Sequence, residues 1–139
     1  MRKTAASVLL LSVLIAALAA CSSDKAKTVD SNAFPAKYKD EIIDSLRTLF
    51  TQNETAAVTN AMISEPALRP VNNEQHYVAC VRYTAHGTAY NITANAERIA
   101  YFYNGHLNQL VETSKGECNN AAYKPFPELD KVCLGTGCK

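Results

Sequence analysis

Arg98-Ile99-Ala100-Tyr101-Phe102-Tyr103-Asn104-Gly105-His106-Leu107-Asn108-Gln109-Leu110-Val111-Glu112 reads as two strands joined by a tight turn. Aromatic and branched residues suit a pleated, half-buried surface. Asn104-Gly105 supplies the two positive-φ positions that a two-residue hairpin loop demands. Such a loop pairs Tyr103 with His106, Phe102 with Leu107, Tyr101 with Asn108, Ala100 with Gln109 and Ile99 with Leu110. One face then shows Ile99, Tyr101, Tyr103 and Leu110; the other shows Ala100, Phe102, Leu107 and Val111. Neither face is polar, so cover is expected on both. One helix can cover only one of them, which leaves the second to the C-terminal segment or to a partner. Phenolic hydroxyls tolerate a wet boundary, and this makes Ile99, Tyr101, Tyr103 and Leu110 the candidate partner surface.

The helix is expected over about 36–50. Pro35 opens it at little cost to the first turn, and Tyr38, Ile42, Leu46, Leu49 and Phe50 follow as one apolar stripe. Asp40 and Glu41 lie early and Arg47 late, as the helix dipole favours. A further strand runs through Tyr77, Val78, Ala79, Cys80, Val81, Arg82, Tyr83 and Thr84. Residues 54–65 suit either a short helix or a strand; a strand near 58–65 is favoured, with Pro66 and Pro70 ending regular structure. Asn72-Asn73-Glu74 is a turn, and His86-Gly87 opens a connection through Tyr90 to Ala96. The expected fold class is α+β: one N-terminal amphipathic helix on a small antiparallel sheet of about four strands, with a C-terminal tail stapled by disulfides.

Five cysteines occur, at 21, 80, 118, 133 and 138. Cys21 follows Leu18-Ala19-Ala20, and before these stand Arg2, Lys3 and an apolar run from Ala5. A positive start, an apolar middle and small residues before a cut form a secretory leader. The run is short of the about 20 apolar residues that a transmembrane helix needs. Leu18-Ala19-Ala20-Cys21 resembles the lipobox of bacterial lipoproteins. The resemblance implies cleavage before Cys21, a diacylglycerol on its sulfur and a fatty acid such as palmitate on its amine. Ser22, rather than Asp, at the second mature position implies outer-membrane sorting over inner-membrane retention. The expected organisation is a signal peptide over 1–20, the lipidated cysteine with a tether over 21–34, and one periplasmic domain over 35–139. The thirteen residues Ser22–Phe34 reach at most about 45 Å, so the domain stays close to the bilayer.

The four other cysteines, Cys80, Cys118, Cys133 and Cys138, are an even set suited to two disulfides in an oxidising compartment. Cys80–Cys118 with Cys133–Cys138 is the favoured connectivity, the second closing a Leu-Gly-Thr-Gly loop; nested pairings such as Cys118–Cys133 stay open. Cys133-x4-Cys138 lacks the spacing of a thioredoxin-like site. His76, His86 and His106 lack partners at zinc-ligand spacing, so no metal and no cofactor is expected.

Removing the leader takes Arg2 and Lys3, leaving 12 basic against 13 acidic residues from the original 14 and 13. These charges are scattered, with no basic stripe for nucleic acid. No nucleophile elbow, zinc-protease helix, phosphate loop or calcium loop is present. Glu65, Glu74, Glu97 and Glu112 could pair as acid and base, but surface carboxylates are usually just solvated. Asn53-x-Thr55 and Asn91-x-Thr93 match a eukaryotic glycosylation pattern that means little in a bacterial lipoprotein.

Glu65-Pro66-Ala67-Leu68, Cys80-Val81-Arg82-Tyr83 and Ala122-Tyr123-Lys124-Pro125-Phe126-Pro127-Glu128-Leu129 give the globular part a resemblance to small lipoproteins of alphaproteobacteria. That resemblance implies neither an activity nor site residues. Two functions are consistent with the chain. One is a non-catalytic accessory module, held at the membrane by acylated Cys21 to bind an envelope protein. The alternative is a small-ligand binder or enzyme with a cleft between sheet and tail.

Overall fold

The computed structural model describes residues 32–50, 56–87, 93–114 and 116–135. The leader, Cys21, Cys138 and both glycosylation-like asparagines lie outside them. The element order is α1 (Tyr38–Leu49), β1 (Ala56–Ser64), β2 (Ala67–Val71), β3 (Glu74–Gly87), β4 (Thr93–Tyr103), β5 (His106–Glu112), β6 (Tyr123–Pro125), α2 (Pro127–Asp130) and β7 (Cys133–Leu134). All seven strands join one antiparallel sheet whose main path is β5-β4-β3-β1-β6, with β2 beside β3 and β7 beside β1.

This corrects the expected α+β class with its four strands: the protein is mostly β, a curled sheet with a small helix. The difference has three local causes. Pro70 does not end structure but sits in β2 opposite Gln75, on a strand that has no second neighbour to miss its N–H. The strand expected from Arg98 starts at Thr93 and pairs with β3 along ten positions. The tail expected to be irregular adds β6 and β7 to the outer edge of β1, with α2 between them.

β3 organises the sheet. Val78, Ala79, Cys80 and Val81 are all buried, so both of its faces are covered. On one face Ala79, Val81 and Tyr83 pack with Ala100 and Phe102 of β4 under Ile42, Ile43 and Leu46 of α1. Leu49, assigned to the helix stripe by spacing, is exposed, and Ile43 takes its place in the core. On the other face Val78, Cys80 and Ile99 pack with Cys118, Ala121 and Tyr123. A disulfide joins Cys80 to Cys118, clamping the connection between β5 and β6 over this face. Such a bond typically contributes about 2–4 kcal/mol. Cys133 is disulfide-bonded as well.

Two bulges set the register. Asn104 and Gly105 take φ values of 54° and 78°, and Tyr103 pairs with His106 and Phe102 with Leu107, as the turn dictates. The next pair is Tyr101 with Gln109, so Asn108 is an extra residue on β5. Everything after it changes face: Leu110 packs on the helix side opposite Ala100, and Val111 moves opposite Ile99. The expected grouping of Leu110 with Ile99 is therefore corrected.

The second bulge lies in β1, where Asn60 and Ala61 stand between Thr59 opposite Thr84 and Met62 opposite Arg82. Asn60 adopts φ 55°, a conformation asparagine tolerates better than most residues. The backbone freed by the bulge is bonded by the tail: Ala61 N–H donates to Asp130 Oδ1 at 2.8 Å, and Phe126 N–H donates to Ala61 O at 2.8 Å.

Between β1 and β2, Glu65-Pro66 interrupts the edge facing β3. Cys80 N–H, buried at that gap, donates to Ser64 Oγ at 2.8 Å. Ser64 is the one buried polar residue recorded among the described positions. Ser64→Ala leaves the amide unsatisfied and should cost about 1–3 kcal/mol. Urea unfolding is expected to show a lower midpoint at unchanged slope.

Candidate functional site

The sheet face opposite α1 changes character along β3. Its Val78 and Cys80 end is apolar and covered by the Cys118 segment, whereas its Arg82 and Thr84 end is polar. Cross-strand pairing sets Glu97 opposite Arg82 and Asn95 opposite Thr84. The β1 bulge contributes Asn60 and Met62 to the same place. Together these six residues line an open groove of about 420 Å³.

Four polar side chains of the groove, Arg82, Thr84, Asn95 and Glu97, have a close partner, whereas Asn60 reaches only its neighbour Thr59 at 3.5 Å. Thr84 Oγ1 donates to Asn95 Oδ1 at 2.9 Å. The Arg82 guanidinium lies 4.3 Å from the centre of the Tyr123 ring, a cation–π contact that fixes its plane. Tyr123 Oη donates to Glu97 Oε1 at 2.6 Å, and Thr113 Oγ1 reaches Glu97 Oε2 at 3.3 Å. Burial, with the carboxylate of Glu97 close by, pushes the Tyr123 phenol well above its ordinary value. Tyr123 thus keeps its proton and donates it in the bond to Glu97. The groove presents one guanidinium, one carboxylate, two amides and a hydroxyl. That is chemistry for recognition.

The partner surface expected from the hairpin does not stay together. Ile99 is buried under the Cys118 segment. Tyr101 is half-buried and its hydroxyl donates to Glu117 Oε1 at 3.4 Å; burial beside that carboxylate also raises its pKa. Leu110 faces α1. Only Tyr103, 47% exposed, remains available.

The other singled-out residues are dispersed. His106 Nδ1 is 2.9 Å from Glu41 Oε1, His76 Nε2 is 3.4 Å from Glu74 Oε2, and His86 Nε2 is 2.9 Å from Thr59 Oγ1. Glu65 bonds Lys124 and Glu112 bonds Arg98, so the four glutamates have four separate partners. Among the described residues no cluster of three His, Cys, Asp or Glu side chains could hold a metal.

Asn60, Arg82, Thr84, Asn95 and Tyr123 were not singled out as site residues by sequence, and Glu97 was named there only as one of four glutamates that could pair as acid and base. A signal existed: Arg82 and Thr84 interrupt the apolar alternation that Val78 and Cys80 begin. What sequence lacked was the β3–β4 register, which depends on a connection with no turn signature.

The raised Tyr123 pKa adds stability that is complete below 10.0, the ordinary value, and is lost as pH rises above it. Wild-type protein should therefore lose stability steeply above pH 10.0. Tyr123→Phe should be less stable at neutral pH and show a shallower alkaline decline, both read from urea midpoints across pH. Neither a known family model, nor any curated protein, nor any solved structure matches this chain.

Proposed function

We propose that the protein is a lipid-anchored lipoprotein of the bacterial envelope, facing the periplasm, whose domain is a non-catalytic module that binds an envelope protein. The observation that carries this reading is Leu18-Ala19-Ala20-Cys21 at the end of an apolar, positively started leader. A cysteine there receives the lipid, and Ser22 after it favours the outer membrane. The buried Cys80–Cys118 disulfide supports an oxidising compartment, the periplasm in this reading.

The groove of Asn60, Met62, Arg82, Thr84, Asn95 and Glu97 is the face assigned to the partner. Its two charged groups, Arg82 and Glu97, are already engaged by Tyr123 and Thr113, so less side-chain entropy is lost when they bind. A second reading, a small polar ligand in the same groove, is favoured by its volume of about 420 Å³, within the usual range for ligand sites.

Two measurements test the proposal. Cys21→Ala should move the protein from the membrane to the soluble fraction and abolish incorporation of labelled palmitate; unchanged labelling would defeat the anchor. A photo-crosslinking residue at Asn95, activated in intact envelopes, should yield one discrete protein adduct that Arg82→Ala weakens. Absence of any protein adduct would favour the small-ligand reading.

A further inference from the structure

The chain leaves the domain at one defined end of the sheet. Ala33 and Phe34 run against the β4–β5 turn: a Cβ at Gly105 would lie 3.5 Å from both Ala33 Cβ and Phe34 O. The Phe34 ring meets Tyr77 edge-on at 5.3 Å, and Pro35 is buried. Tyr77 lies near the start of β3, level with Phe102, so the β2–β3 turn and the β4–β5 turn share this end.

The same end carries three of the five large apolar side chains exposed among the described residues, Leu49 and Val111 being the other two. Phe34 is 53% exposed, Leu68 48% and Tyr103 47%. Leu68 pairs directly with Tyr77, and the Tyr103 ring lies 5.9 Å from His76. They stand on both sides of the sheet, forming a rim around its tip and not a patch on one face. The turn residues Asn72-Asn73 and Asn104-Gly105 are uncharged, and the one carboxylate beside the first turn, Glu74, lies 3.4 Å from His76 Nε2. Exposed Lys37 stands three residues beyond Phe34.

From this arrangement we infer that the tip formed by Phe34, Leu68, Tyr77 and Tyr103 rests on the bilayer, with its rings at the headgroup level. The inference rests on lipidation of Cys21. Ten residues separate Cys21 from Asn32, and whatever path they take the two are no more than about 40 Å apart. The chain towards the lipid leaves from this end, so the anchor favours its approach to the membrane surface over that of the far end of the sheet. Tethering at such range makes a weak contact effective. Aromatic rings with one apolar body and one polar edge are the side chains that settle at a membrane interface, and a lysine beside them suits phosphate headgroups.

The docked tip sets the direction of the rest. Arg82 and Thr84 lie five and seven residues past Tyr77 on β3, about 20 Å along an extended strand. The groove is thus held off the bilayer and turned towards the periplasm.

The chain contains no tryptophan, so a single introduced one is a clean reporter. Phe34→Trp, Tyr103→Trp and, as the groove control, Asn95→Trp are each made in the full chain. The lipidated proteins are purified from membranes and reconstituted into phosphatidylethanolamine–phosphatidylglycerol vesicles containing brominated lipid. Expected are blue-shifted emission and several-fold stronger quenching at positions 34 and 103 than at position 95. Equal quenching at all three would overturn the docking while leaving the anchor intact. Flotation of the vesicles tests the anchor separately. Should the chain carry no lipid, the same ratios are read after coupling the Cys21 thiol to a maleimide lipid, so that docking is decided either way. A blue shift at 34 and 103 that appears only in native envelopes, with no quenching by lipid, would also overturn it, by assigning the tip to a protein.

Discussion

Four successive residues of β3, Val78 to Val81, are buried although their side chains point alternately to opposite sides of the sheet. A strand in that position cannot belong to a sheet with one wet face. It obliges the chain to provide two covers, and each comes from a different part of the sequence. α1 brings Ile42, Ile43 and Leu46 to one face, while the segment around Cys118 closes the other. The second cover is short and has little apolar surface of its own. The Cys80–Cys118 bond holds it where a larger element would hold itself by area.

The sheet curls because it must meet α1 along both edges. At one edge Glu41 accepts from Leu107 N–H at 2.6 Å and meets His106, occupying part of the outer backbone of β5. An edge strand so covered is a poorer template for pairing with another chain. At the other edge Lys39 bonds Glu128 at 3.0 Å and lies 5.4 Å from the centre of the Phe126 ring. The ion pair is exposed and contributes little by itself; its place in the fold is to mark where α2 reaches the helix. The bulges in β1 and β5 supply the bending, and Asp130 and Phe126 bond the backbone that the β1 bulge releases.

The covered and uncovered parts of the surface have a spatial order. Phe34, the exposed Leu68 and Tyr103, and the Asn72-Asn73 and Asn104-Gly105 turns gather at the start of β3, and the polar groove lies towards its far end. In the proposed lipoprotein this order separates attachment from recognition. The arrangement needs no moving part, since one long strand sets the distance between the two ends.

Local chemistry was legible wherever a residue acts on its neighbours in sequence. Asn104-Gly105 declared its hairpin because positive φ is a property of those two residues. The helix declared its extent through the spacing of its apolar residues. The tertiary structure alone decided what depends on distant partners. Asn108 bulges out and turns Leu110 towards α1; Pro70 finds an edge where its missing N–H costs nothing; the tail becomes β6 and β7 because β1 offers it an unpaired edge. Arg82 and Glu97 become neighbours only through a register set fifteen residues apart in the chain. Periodicity reports which way a side chain points along one strand, but which residue lies opposite is a property of two strands, and no single stretch of sequence contains it.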